Sequence, residues 1–233
     1  MILKDKATYK YDQFLKMIFF GIAATLAISE FFSAKSIIFV LKPFLIPSLV
    51  ILYLYRSKKK NLLYVLCLLF AWFSNILFTF TSEKLVLIGF LTFMVYRIFC
   101  IILTLKLMAN FYLLPFTVAT MPFLFIFSSL LNLTLNPELA EFYPAAINAV
   151  LISVLAGLAL SNYVMNDNKM NSWLAISTLL FIVLGFLFMF EKYYISNIVF
   201  QPTSAIVYAF GHYTYYKFVL EAEKPIEPEI RQL

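Results

Sequence analysis

The chain has 233 residues, of which 63% are hydrophobic, 19% aromatic and only 13% charged. Soluble domains carry about 25% charged and about 45–50% apolar residues, so this composition excludes a soluble fold and points to a chain that crosses a membrane several times. The net charge of +6 does not signal nucleic acid, because the basic residues fall between apolar runs, where they set topology and meet anionic lipid heads.

Residues Met1 to Lys16 form a polar head with lysines, aspartates and tyrosines and no small-x-small cleavage site after the first apolar run. The first span is expected from Phe14 to Phe32 and stays in the protein, with Glu30 near its far end as an interfacial residue close to Lys35. A second runs from Ser36 to Tyr55 and ends in the basic stretch Arg56-Ser57-Lys58-Lys59-Lys60. The third, Asn61 to Phe80, holds Ser74-Asn75, and the fourth, Leu85 to Lys106, holds Arg97. The fifth, Tyr112 to Leu133, is interrupted by Pro115 and Pro122. Asn136-Pro137-Glu138 turns the chain into a sixth span, Phe142 to Val164. The seventh covers Ser172 to Phe190 and the eighth Tyr194 to Leu220. Residues 1–220 therefore read as one all-α transmembrane domain of eight helices, and residues 221–233 as a disordered tail rich in Pro and Glu.

Lys and Arg concentrate in the head, the second, fourth and sixth loops and the tail, whereas the other side carries only Lys35, Lys84 and Lys192. The positive-inside bias then places both termini in the cytoplasm, as an even number of spans requires. A small chain of this kind suits a bacterial inner membrane. Cys67 and Cys100 both fall within apolar spans without metal-ligand spacing, so no metal or other cofactor is expected.

Val40-Leu41-Lys42-Pro43-Phe44 places a lysine beside a helix-distorting proline inside a span. A charge at that depth costs roughly 2.5–3.5 kcal/mol on insertion scales and marks a functional position by default. Counting rise per residue puts Lys42, Asn75 and Gly185 at one height, with Arg97 and His212 below them. This arrangement suggests one polar cavity with cations and no mid-membrane acid to pair with them. Arg97 keeps its charge and so calls for carbonyls, water or an external anion such as a lipid phosphate. His212 is the only histidine, and its imidazole can move a proton near neutral pH.

In order, spacing and placement, these residues resemble the YhhN family of lysoplasmalogenase-like membrane proteins. Lys42-Pro43-Phe44 is similar to the family's Lys-Pro-Leu element, and Ser74-Asn75-Ile76-Leu77 falls on its Gly-Asp element. Gly89, Phe93 and Arg97 fall on its Gly-x-x-x-Phe-x-x-x-His stretch, and Tyr143 with Ile147 on the opening of its sixth helix. Phe181, Leu184 and Gly185 fall on Phe-x-x-Ser-Asp, and Tyr208 with His212 on the final Tyr-x-x-x-Gln/His.

The resemblance implies an eight-helix bundle that hydrolyses the vinyl ether bond of lysoplasmalogen to an aldehyde and a glycerophospho-base. It places His212 and Asn75 at catalytic positions and Lys42, Arg97 and Tyr208 at substrate-binding ones. Here both family aspartates are replaced, by Asn75 and Gly185, and the fourth-helix histidine by Arg97. Two readings stay open: a hydrolase working through His212 or a rearranged site, and a non-catalytic protein binding an anionic lysolipid headgroup through Lys42 and Arg97. In either the partner is a membrane lipid, with no nucleic acid involved.

Overall fold

The structure, a computed structural model, describes residues 2–80, 82–195 and 197–224, with residues 2–9 described by their backbone alone. Its elements are α1 (Ile2–Phe31), α2 (Lys35–Arg56), α3 (Leu62–Leu77), α4 (Glu83–Leu107), α5 (Leu113–Thr134), α6 (Phe142–Met165), α7 (Lys169–Tyr193) and α8 (Phe200–Ala222). No strand occurs among the described residues, so the expected all-α bundle of eight helices is the fold found.

Six helices are long and apolar enough to cross a membrane: α1 from Lys10, α2, α4, α5, α6 and α7. By length and composition they fit a polytopic membrane bundle. α3 has only 16 residues, about 24 Å of helix against a hydrocarbon core of about 30 Å. α8 has the length, but Gln201, His212, Lys217, Glu221 and its tyrosines lower its hydropathy.

Local chemistry explains the boundaries. The Asn61 side chain accepts from Leu63 N at the start of α3, and Asn168 accepts from Asn171 N at the start of α7. Pro115 sits in the first turn of α5, where its missing N–H costs nothing, so only Pro122 interrupts that helix. The eighth helix begins at Phe200 rather than Tyr194. The Asn197 side chain accepts from Val199 N and holds a turn there, and Pro202 is suited to a helix's first turn.

In sequence order α1 packs on α2, α2 on α3, α3 on α4, α4 on α6, α6 on α7, α7 on α8 and α8 on α1, closing a ring. α5 lies outside it against α6 and α7. α6 admits α5 closely because Gly157 has no side chain; a Cβ there would collide with Thr120 Oγ1.

Asp12 of α1 and Glu223, just after α8, both meet the α2–α3 loop region at the basic end of the bundle. Asp12 pairs with Lys16 at 2.6 Å and Arg56 at 3.5 Å. Beyond α8, Glu223 accepts from Ser57 Oγ at 2.6 Å, Tyr53 Oη at 3.2 Å and Lys58 N at 3.1 Å. Of the tail expected from residue 221, residues 225–233 lie outside those described.

Candidate functional site

Polar groups inside the ring lie on two levels. The inner level is built on Arg97 of α4, only 2% exposed. Its guanidinium carbon lies 4.7 Å from the Phe93 ring centroid, 5.1 Å from Phe181 and 5.5 Å from Tyr96. Desolvated cation–π contacts of this kind reach about 2 kcal/mol. Nε and Nη1 have no hydrogen-bond partner among the described residues. Around these two nitrogens stand aromatic faces in place of carbonyls, one of the expected options; they balance charge but accept no directed N–H bond.

His212 of α8 joins the same cage, with ring centroids 4.5 Å from Tyr208, 5.1 Å from Phe181 and 5.7 Å from Tyr96. Its Nε2 is likewise buried and without a partner among the described residues. Tyr208 donates to the Ala71 carbonyl at 3.2 Å and so ties α8 to α3. Below them Tyr215 donates to the Cys100 carbonyl at 3.0 Å and lies 3.1 Å from Thr104 Oγ1.

The outer level is built on α2. Pro47 has no N–H to return to the Pro43 carbonyl one turn back, so that carbonyl would be orphaned. Trp72 Nε1 of α3 donates to it at 2.7 Å. A cleft of about 40 Å³ opens beside this bond, lined by Phe39, Lys42, Pro43, Ile76 and Thr79.

Lys42 has a partner that its sequence position does not announce. Its Nζ lies 3.9 Å from Glu30 Oε1, a carboxylate whose side chain is only 9% exposed. Glu191 of α7 stands within electrostatic reach of both. The expectation of intramembrane cations without acids is therefore corrected at Lys42 and holds only at Arg97. Helix geometry explains the meeting. Side chains lean toward their helix's N-terminus. Glu30 and Glu191, near the C-terminal ends of α1 and α7, lean into the bundle, and Lys42, near the start of α2, leans out toward them.

A stripe on α8 connects the levels. Gln201, Ser204, Tyr208 and His212 follow at steps of three and four residues, which keeps them on one face. The Ser204 hydroxyl on this stripe is buried and without a partner among the described residues. From Gln201 to His212 the stripe covers about 16 Å of helix axis.

The structure thus brings Arg97, Tyr208 and His212 together but gives Lys42 other company: its charged neighbours are Glu30 and Glu191. Asn75 is half-buried beside the cleft-lining Ile76, and its own carbonyl accepts from Thr79 Oγ1 at 3.1 Å. Gly185 faces α5, where a Cβ would meet Phe127 at 3.4 Å. Tyr143 and Ile147 are exposed on the outer surface, away from both levels. Glu191 escaped the sequence reading, and Glu30 was read there as an interfacial residue close to Lys35. The available signal was an acid near the end of each of two spans whose side chains lean inward.

The sequence profile of the YhhN family matches residues 37–217. Neither a curated protein nor a solved structure matches the chain. The matched stretch runs from the start of α2 to within six residues of the end of α8 and includes Lys42, Asn75, Arg97, Gly185, Tyr208 and His212. The chain belongs to the YhhN family.

Proposed function

We propose that this chain is a lysoplasmalogenase-type hydrolase of a bacterial inner membrane, cleaving the vinyl ether of a lysolipid with an anionic headgroup. The observation that carries the reading is Arg97: a buried permanent cation with two N–H groups unpaired among the described residues, next to a histidine nitrogen in the same state. An uncompensated buried charge is costly enough that chains keep one where an anion is to be received. A lipid phosphate supplies both the charge and the oxygens that a guanidinium fork binds.

In this arrangement the phosphate is held by Arg97, with His212 Nε2 and the Tyr208 ring beside it. The glycerol, carrying the vinyl ether, extends from there along α8. Closure of the aromatic cage excludes bulk water from the headgroup, which strengthens the ion pair.

A second reading, binding of the same lysolipid without catalysis, is favoured by one observation: neither Asn75 nor Gly185 offers a carboxyl group. Aldehyde release from lysoplasmalogen by the purified protein separates the two. Release by the unaltered chain, lost together with co-purified acidic lipid in Arg97→Ala, is the expected result. Lipid retention without aldehyde release would favour the binding reading. An unchanged lipid content in Arg97→Ala would defeat both.

A further inference from the structure

The loop between α2 and α3 directs successive backbone N–H groups toward a single carboxylate. Tyr53, in the last turn of α2, and Ser57, its C-terminal cap, are both buried there. Lys58 N and Lys59 N donate to Glu223 Oε2 at 3.1 and 3.5 Å. Ser57 Oγ and Tyr53 Oη donate to Oε1 at 2.6 and 3.2 Å. The next two N–H groups reach the same carboxylate through those hydroxyls. Lys60 N donates to Ser57 Oγ at 2.7 Å, and Asn61 N to Tyr53 Oη at 2.8 Å. Lys60 takes a left-handed φ of 46°, which is uncommon without glycine and suits the concave nests that bind anions. Charge points the same way. Arg56 pairs with Asp12, whereas the exposed Lys58, Lys59 and Lys60 form no ion pair among the described residues. A basic run at the end of a spanning helix lies at headgroup depth, where it gathers acidic lipid. A carboxylate brings one charge to this site; a phosphate monoester brings about 1.5 to 2 and a third acceptor oxygen.

We propose that the α2–α3 loop is a phosphate-binding site that the chain's own Glu223 fills until a phosphate monoester displaces it. The site is separate from the Arg97 cage and does not depend on the hydrolase reading. Phosphate oxygens take the four donors that now hold the carboxylate, and Lys58, Lys59 and Lys60 supply the countercharge. Glu223 is suited to yield its place, because it stands one residue past α8 and helix ends open at little cost. Until then it competes strongly. A tethered group acts at an effective concentration on the order of mM, so dilute or weakly charged anions do not enter. Exchange of Glu223 for phosphate releases the end of α8 from the loop. The same helix carries Tyr208 and His212, so the acidic lipid content of the membrane bears on the helix that helps to form the cage.

Native mass spectrometry of the full chain in detergent tests this with dioctanoyl phosphatidic acid, dioctanoyl phosphatidylcholine and inorganic phosphate. Hydrogen–deuterium exchange follows the loop and the end of α8 in parallel. The variants are Glu223→Gln, Ser57→Ala and the control Glu221→Gln, which removes the same charge from a side chain that pairs with Lys224 at 2.8 Å. Phosphatidic acid should bind about tenfold tighter to Glu223→Gln, freed of its competitor, and about tenfold weaker to Ser57→Ala. Glu221→Gln should bind as the unaltered chain does. In the unaltered chain the lipid should speed exchange at residues 221–224 while the amides of 58–61 stay protected. Equal tightening in Glu221→Gln would reduce the effect to overall charge and overturn the site, as would unchanged affinity in Glu223→Gln. Binding indifferent to Ser57→Ala would leave attraction by the lysines alone and also overturn it. Tyr53→Phe, which keeps the ring and removes the hydroxyl, decides the matter where Ser57→Ala does not fold. Inorganic phosphate binding as tightly as phosphatidic acid would support the site with a soluble phosphate as its ligand; preference for phosphatidic acid over both other probes supports a lipid headgroup.

Discussion

A guanidinium keeps its charge in any protein environment, so burying Arg97 among Phe93, Tyr96 and Phe181 has to be balanced by those rings or by a bound anion. Three aromatic faces lessen the desolvation cost without satisfying the buried Nε and Nη1 hydrogens. An unpaired buried charge carries a desolvation cost that an apolar side chain of similar volume does not. Arg97→Met should therefore raise the melting temperature of the lipid-free protein in detergent while removing its affinity for anionic lysolipid. A lowered melting temperature would mean that the guanidinium serves the fold and not a ligand. His212 separates the roles further. His212→Ala leaves the Arg97 charge in place, so lysolipid binding should weaken only severalfold, by about 1 kcal/mol for one lost neutral hydrogen bond. Binding lost as completely as in Arg97→Ala would make the histidine part of the anion site itself.

At the scale of the helix, the two prolines of α2 do more than bend it. Their four-residue spacing frees the Pro43 carbonyl at the depth where Trp72 of α3 can donate to it. That bond fixes the wall of the cleft beside Lys42. Trp72→Phe keeps most of the packing and removes the donor, which should cost about 1–3 kcal/mol for an unsatisfied carbonyl. Thermal unfolding in detergent checks this; a variant as stable as the parent would show that water replaces the indole. The helices themselves, and Lys42 and Arg97 as intramembrane charges, were legible because hydropathy and depth depend on one segment at a time. The Glu30–Lys42 pair was not, because Glu30 sits near a turn and reads as interfacial until side-chain lean brings it inward. The facing of Gly185 toward α5 was equally hidden, since height along a helix says nothing of rotation about it. α8 was set six residues too early because Ile195, Ile198 and Val199 continue its apolar character through what is a turn.

For the whole molecule, the two ends of the bundle differ in charge and in what they do. At one end Asp12, Arg56, Ser57, Lys58 and Glu223 clasp the start of the chain, the α2–α3 loop and the end of α8. At the other, Glu30 pairs with Lys42 at 3.9 Å, and Glu191 is within electrostatic reach of both. Because the basic run Arg56–Lys60 belongs to the first end, the positive-inside bias assigns that end to the cytoplasm. On the proposed hydrolase reading, the Lys42 cleft then opens in the opposite half of the membrane, and a lysolipid substrate would enter from the outer leaflet. This makes topology a direct constraint on substrate supply. In bacterial cells, a green fluorescent protein fused after Leu233 should be bright, and an alkaline phosphatase fused at the same place inactive. The reverse pattern would place Lys42, Glu30 and Glu191 in the cytoplasmic leaflet. The basic loop at Arg56–Lys60 would then face outward, against the charge rule, and the chain would draw its lipid from the inner leaflet.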